Sequence, residues 1–557
     1  MGVVLAIGFA AVLLRLVDVQ GLSSSRYAVL GNNQRLHTID LAAPRGAIFD
    51  RHGAALAVSV SRATVWADPQ LVSDPAGAAR ALAPLLRIDE AGLRASLTTN
   101  SRFVYLARRL DDETADAVRA LSLAGVDLMA EPTRVWPGGT VASSVLGQVG
   151  VDDQGLSGLE LQFQDELSGT PGEVLVERDP GGRDIPGGVR RRTEPVSGHG
   201  VVLTLDRDLQ YFAEQTLGRR LVSSKARAGV AVVMDTQSGD ILAMANMVAG
   251  EKDQAPHPAG YNKAVVDVYE PGSVNKLVTL AAAIEEKAVA PSTGLIVPDH
   301  ITVGGSTFED SESHLPQRWT PADIMAHSSN AGAIIVAQQL GRQGLDRYLR
   351  SFGLDREPGL DFPGEATGIV PDLGDWSATS LPTLAIGYGL AVTPLHMVAA
   401  YNAVANGGVY VEPRLVRAEL DSSGKERAAP AADQHRVVSA ETAGAVTGML
   451  TQAVQDGTGT TAAIDGYTVA GKTGTARKAE GGTGYRDGAY NASFVGFVPA
   501  EAPRLSITVV LDEPQPYYGG LVAAPVFAEL ANYAVRHYQI PPRQAAATLR
   551  SSSATRP

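Results

Sequence analysis

Two apolar runs, Val230–Met234 and Asp240–Ala245, are joined by Asp235-Thr236-Gln237-Ser238-Gly239, and strand-like sequence returns only at Tyr467–Ala470, Ala492–Val498 and Leu505–Leu511. Short runs rich in β-branched residues around such a turn signal a hairpin. Helical sequence fills the interval, from Ser273 to about Ala290 and from Thr320 to Phe352. Before the hairpin come a strand candidate, Val201–Leu205, and an Asp-capped helix from Asp208 to about Ser223; a helix from Ala524 to about Tyr538 closes the region. Strands at both ends of a stretch and helices between them predict an α/β fold, an antiparallel sheet sandwiched by helices with an inserted helical region.

The chain has 557 residues, more than one core usually organises, so further domains are expected. Residues 21–196 have another texture: short β-rich pieces, Arg-rich turns and many glycines, with no catalytic constellation. Glu177-Arg178-Asp179-Pro180-Gly181-Gly182-Arg183 looks charged enough for a site, but its Pro-Gly-Gly centre reads as a solvated loop. Ser197-Gly198-His199-Gly200 marks a boundary, the larger domain occupies 197–540, and the Ser-, Ala- and Arg-rich tail 541–557 reads as disordered.

Residues 1–20 read as a membrane anchor. No side chain from Met1 to Leu14 is charged, and Arg15 and Asp18 then interrupt the run. A span needs about 20 apolar residues, so the run reaches only if Arg15 snorkels to the interface. A cleaved signal peptide would want a basic start and a small-x-small site, and a buried core helix also fits the length. The positive-inside rule has nothing to act on before the run.

Composition excludes several chemistries. A net charge of −13 without a basic block argues against nucleic acid as a partner. The absence of Cys removes disulfides, thiolate metal sites and cysteine nucleophiles. Of 47 basic residues only 8 are Lys, which matters because Lys, unlike Arg, can be tuned to lose its proton.

Two chemistries are written over Lys472. Gly466-Tyr467-Thr468-Val469-Ala470-Gly471-Lys472-Thr473 satisfies the P-loop pattern, and Ile507–Asp512 resembles an apolar strand ending in a Mg²⁺-binding Asp. A P-loop, however, needs a flexible loop and then a helix whose N-terminus cradles phosphate. Here Tyr467, Thr468 and Val469 are strand formers, and Thr473-Gly474-Thr475-Ala476-Arg477-Lys478 is a poor helix start.

The other chemistry has three parts. Ser273-Val274-Asn275-Lys276 opens a helix, so the amine can reach the hydroxyl three residues back, and the helix start aims N–H groups at a developing oxyanion. Ser328-Ser329-Asn330 lies between helical stretches and offers a hydroxyl and an amide to one cleft. Lys472-Thr473-Gly474-Thr475 lies on a strand, Lys472 and Gly474 on one face, Thr473 and Thr475 on the other, with Gly474 allowing close approach. Each motif alone is weak: Ser422-Ser423-Gly424-Lys425 repeats the first in a polar turn with no helix after it. Together and in this order they are specific.

The set resembles the signature of the penicillin-recognising serine enzymes. Tyr269-Glu270-Pro271-Gly272-Ser273, Ala385-Ile386-Gly387-Tyr388-Gly389, Ala470–Ala476 and Asn491–Phe497 resemble class B penicillin-binding proteins, as does Arg45-Gly46 to Gly53 of their pedestal domain. Ala523–Phe527 and Thr475–Lys478 look most like the division-type FtsI proteins. The resemblance implies a β-rich pedestal followed by a transpeptidase domain that cross-links peptidoglycan stem peptides at the septum. It implies Ser273 as nucleophile, Lys276 as general base, Ser328 as proton relay, Asn330 as a holder of substrate backbone, and Lys472 as the source of positive potential. Backbone N–H groups of Ser273 and Thr475 would form the oxyanion hole, with Thr473 and Gly474 lining the substrate strand. It implies no metal or organic cofactor, acylation by β-lactams, and an FtsW-type glycosyltransferase partner. A D,D-carboxypeptidase stays open, since water and amine acceptors look alike in sequence. A β-lactamase would need a base for deacylation, for which Glu365 is the nearest acid, and a β-lactam sensor would need a cytoplasmic effector.

Overall fold

The computed structural model describes residues 1–542 apart from 24, 27–28, 30, 32–34, 180–184, 186, 252–253 and 480–483. Most of the expected disordered tail and the centre of the Pro-Gly-Gly loop lie outside the described residues.

The early hairpin and the late strands meet in one six-stranded sheet. Its order across is His257–Pro258, Ile241–Val248, Ala228–Asp235, Leu505–Asp512, Tyr485–Val498 and Ala470–Ala479, with every neighbouring pair antiparallel. Alternation along each strand feeds two cores. Ala231, Val233, Phe494, Val509 and Leu511 pack under the helices Arg207–Ser224 and Ala524–His537. Val495, Phe497 and Val510 face the opposite side, where Lys276–Glu285, Asn330–Leu340 and the wholly buried Pro394–Ala405 pack. Ala470–Ala479 is the edge strand of this sheet, one side of its backbone unpaired within it.

Several boundaries moved. The first helix begins at Arg207 because Asp206, rather than Asp208, caps it by accepting from the backbone of Asp208 and Leu209. The strand expected at Tyr467–Ala470 starts at Ala470 and runs on to Ala479; Tyr467 makes only a single bridge to Ile464. Thr320–Phe352 is three helices, Pro321–His327, Asn330–Leu340 and Arg342–Ser351. The breaks fall where Ser328 (φ 59) and Gly341 (φ 80) leave the right-handed region.

The Ser197–Gly200 boundary is not a free linker. Gly200–Leu203 belongs to a seven-stranded sheet that also contains Ile48–Phe49, Ala55–Ala67, Val104–Leu110 and Val126–Val135 from the N-terminal part, and Val416–Leu420 and Glu426–Ala428 from the C-terminal part. Leu146 and Leu159 share one core with Val232, Met244 and Leu395. Beside that core, Glu160 is buried between two guanidinium groups, its Oε2 2.6 Å from Arg45 Nε and its Oε1 2.7 Å from Arg134 Nε. Arg134 Nη1 also donates to the Gly46 carbonyl. This fastens Arg45-Gly46, one of the segments behind the family resemblance, to the Gly155–Glu160 turn.

Gly2–Gly21 forms a helix of 20 residues, long and apolar enough to cross a membrane, with none of it buried against the rest of the chain. That excludes the buried-core-helix reading; the helix outruns the uncharged stretch because Arg15 and Asp18 pair with each other on its surface.

Glu160→Ala would leave two buried cations unpaired, a loss of about 3–5 kcal/mol. Thermal denaturation of the purified chain should therefore show a clear fall in Tm for Glu160→Ala, larger than for truncation of an exposed pair such as Arg192–Glu194.

Candidate active site

The turn carrying Ser273 is built by packing from three sides. Gly272 (φ 59) opens a 3₁₀ turn, Gly272–Asn275, that passes directly into the α-helix Lys276–Glu285. The Gly272 N–H donates to the Gly387 carbonyl, the Asn275 amide to Leu384 O, and the Tyr401 hydroxyl to Val274 O. Gly387 holds φ 84, and a Cβ there would lie 2.0 Å from Gly272 O. Gly387 therefore permits the contact that seats Ser273.

The expected reach of lysine to serine is present: Lys276 Nζ lies 3.2 Å from Ser273 Oγ. The amine also lies against the Ser328 carbonyl, 2.8 Å from Asn330 Oδ1 and 3.4 Å from Ser328 Oγ. Lys276 is fully buried, and that burial pulls its ammonium down to about 7, against a weaker upward pull from the Asp310 carboxylate. A neutral amine has two N–H bonds and one lone pair. Ser328 O and Asn330 Oδ1 only accept, so they take the two protons and leave the lone pair to Ser273. This is the arrangement of a general base on a serine.

Ser328 terminates Pro321–His327 in a left-handed conformation, and Ser329 caps Asn330–Leu340 by accepting from Gly332 N. The short link puts Ser328 and Asn330 on the same amine. Sequence reasoning missed what holds them. Asp310 Oδ1 accepts from the backbone N–H groups of Asn330 and Ala331, and Glu309 O accepts from Asn330 Nδ2 at 2.7 Å. These acidic residues precede the motif by about twenty positions, and no local periodicity links them to it.

On the edge strand, Gly474 faces the Ser273 turn, and alternation starts the Lys472 side chain on the same face. A Cβ on Gly474 would lie 3.1 Å from both Pro271 O and Val274 Cγ1. Thr473 and Thr475 point the other way, as alternation requires: Thr473 Oγ1 bonds Thr458 Oγ1 at 2.7 Å and Thr475 Oγ1 accepts from Gly519 N. Lys472 is fully buried, and its amine reaches Thr473 and Thr458 rather than Ser328. Burial, with a smaller push from the neighbouring Lys276 charge, holds it well below the ordinary lysine range. A bound carboxylate would raise it again. Ser273, Lys276, Ser328 and Asn330 are thus joined by direct bonds, with Lys472 beside them. Thr458, whose N–H donates to Ala326 O, is a further residue of the cleft that the sequence did not signal.

The decoys separate on structure. Lys472 lies inside a strand that continues to Ala479, so no helix cradles phosphate behind it; the reason is this position, and not strand structure at Tyr467–Val469. Ser422–Lys425 is the turn of a hairpin, tied by Asp421 to Ser423 and Lys425. Glu365 is buried in its own turn, accepting from Leu360 N and Phe362 N.

A serine within hydrogen-bond reach of a buried lysine, flanked by Ser-Ser-Asn and a Lys-Thr-Gly edge strand on an antiparallel sheet, has the layout of a serine acyltransferase of the penicillin-recognising class. Comparison with known proteins agrees. Residues 229–532 match the family described as penicillin binding protein transpeptidase domain, and 40–203 the penicillin-binding protein dimerisation domain. The chain is 36% identical over 534 residues to penicillin-binding protein PbpB of Mycobacterium tuberculosis, covering 90% of this chain and 78% of that protein. It is 33% identical over 554 residues to peptidoglycan D,D-transpeptidase FtsI of Escherichia coli K12, covering 97% and 91%. The crystal structure of penicillin binding protein 3 from M. tuberculosis complexed with aztreonam superposes with a TM-score of 0.71 at 31% identity, covering 90% of this chain and 98% of that one. The chain belongs to the class B penicillin-binding proteins, of the FtsI-like type.

With Lys276 as the proposed base, acylation by a penicillin should fall about tenfold per pH unit below about 7 and level off above it, as stopped-flow labelling would show. Gly387→Ala should slow acylation about a hundredfold by displacing Gly272 and with it Ser273.

Proposed function

We propose that this chain is a membrane-anchored D,D-transpeptidase that cross-links peptidoglycan stem peptides at the division septum, with Ser273 as its nucleophile. The observation that carries the reading is the 3.2 Å approach of Ser273 Oγ to a buried, near-neutral Lys276. Lys276 takes the hydroxyl proton as Ser273 Oγ bonds to the carbonyl carbon between the two terminal D-alanines. The C–N bond breaks as the proton on Lys276 moves through Ser328 to the departing D-alanine amine. An amine of a neighbouring stem then bonds to the acyl carbon and gives its proton to the now neutral Lys276, which passes it to Ser273 Oγ as the ester C–O bond breaks. The N–H groups of Ser273 and Thr475 receive the oxyanion, a contribution of about 3 kcal/mol per donor. Gly474 lets the donor stem lie against the edge strand beside Thr473, and Lys472, recharged by the incoming carboxylate, anchors it. Asn330 keeps one amide proton for substrate backbone, its oxygen being held by Lys276. β-Lactams mimic the donor and trap Ser273 as an ester.

The domains serving this chemistry are an anchor at 1–20, a pedestal at 21–196 and the transpeptidase domain at 197–540. The Gly2–Gly21 helix supports a single pass with the catalytic domain outside the cytoplasmic membrane, and anchor and pedestal together offer the surfaces for an FtsW-type glycosyltransferase and other division proteins. The pedestal weighs against hydrolytic relatives, as does the fact that, among the described residues, no carboxylate bonds Ser273 or Lys276: Glu365 is committed to its own turn.

Incubation of the detergent-solubilised chain with fluorescent penicillin should give a stable covalent label on wild type and none on Ser273→Ala or Lys472→Ala, with unchanged melting of the variants. Label on Ser273→Ala would refute the site, and release of label within seconds would make the protein a β-lactamase.

A further inference from the structure

The base assignment depends on which end of the Asn330 amide faces Lys276. If Nδ2 faced the amine, Lys276 would have to turn its lone pair on that amide proton and could not take one from Ser273. Two contacts from a single segment prevent this. Glu309 O holds Nδ2 at 2.7 Å, and Asp310 Oδ1 holds the backbone N–H groups of Asn330 and Ala331. Asp310 is itself held: its Oδ2 lies 3.2 Å from His314 Nε2, and its backbone N–H donates to Asp299 O. The other ring nitrogen of His314 faces the Leu315 carbonyl at 2.9 Å. Both partners of His314 are acceptors, so both nitrogens can be satisfied only in the imidazolium, whose charge meets Asp310. The ring is fixed against Trp319, which stacks in turn on His327, the residue preceding Ser328.

We propose that Asp310, clamped by His314, is a positioning residue for the acylation step: it sets the start of the Asn330–Leu340 helix so that Asn330 Oδ1, and not Nδ2, faces Lys276, which leaves the Lys276 lone pair for Ser273. The proposal rests on the function assigned above. It gives Asp310 no contact with substrate; its whole effect passes through Asn330 and Lys276. The charged groups facing Lys276 are Asp310 and Lys472, and those facing His314 are Asp310 and Asp299. Loss of the Asp310 charge therefore removes a support for the Lys276 ammonium as well as the clamp.

The test is the second-order rate of penicillin acylation of the full chain in detergent, measured across pH for wild type, Asp310→Asn, Asp310→Ala, Asn330→Ala and the double variant Asp310→Ala/Asn330→Ala, with Ser273→Ala as control. Asp310→Ala should slow acylation about tenfold. The double variant should be no slower than Asn330→Ala alone, since a residue acting through Asn330 has nothing left to position. Asp310→Asn, which keeps an oxygen for the helix start, should move the acidic limb of the profile to lower pH while Tm stays near wild type. Additive losses in the double variant, an Asp310→Ala rate within about twofold of wild type, or an unmoved Asp310→Asn limb would each overturn the proposal. Labelling of Ser273→Ala would instead overturn the function on which it rests.

Discussion

Taking an amine out of water penalises its charged form, and at Lys276 that penalty falls on an amine within 3.2 Å of a serine hydroxyl. The residue is fully buried, and its pKa falls to about 7 while Asp310 opposes the fall. Burial needs surroundings that accept hydrogen bonds without supplying a full counter-charge in contact. Ser328 O and Asn330 Oδ1 do this, and both hang on the break between Pro321–His327 and Asn330–Leu340. The left-handed Ser328, the Ser329 cap and the Asp310 carboxylate all bear on this break, and so on the two oxygens that face the Lys276 amine.

The sheet supplies the other half. Its edge strand leaves backbone unpaired along the cleft, and Gly474 lets that strand come within contact of Pro271–Val274. Among the described residues the partners of a second buried amine, Lys472, are hydroxyl and carbonyl oxygens, so a bound anion would favour its charged form. The strands beneath are locked to the N-terminal part through a shared core and a sheet that crosses the domain boundary. The two parts are thus joined by packed side chains and shared strands rather than by a linker, while the buried Arg45–Glu160–Arg134 cluster ties the N-terminal part to itself.

Much of this was legible in the sequence. The hairpin at Ala228–Val248 and the late strands read as short apolar runs, so their shared antiparallel sheet could be inferred, and the spacing of Ser273 and Lys276 placed the amine within reach of the hydroxyl. What was hidden is non-local or conformational. Asp310 and Glu309 meet Asn330 and Ala331 some twenty residues on, through three hydrogen bonds that leave no periodic trace. The breaks at Ser328 and Gly341 depend on positive φ, which Ser does not advertise. The strand start at Ala470 was misplaced because Tyr467, Thr468 and Val469 have strand propensity, yet the chain turns there. Thr458 entered the cleft only because the chain after the helix Ala440–Gln455 folds back onto Ala326.

With only 8 lysines in the chain, [ε-¹³C]lysine NMR can follow the Lys276 amine directly. One resonance, absent from the Lys276→Arg variant, should titrate near pH 7 in the substrate-free protein. A Lys276 resonance that titrates with the exposed lysines, near their ordinary value of about 10.4, would contradict the account of Ser273 activation.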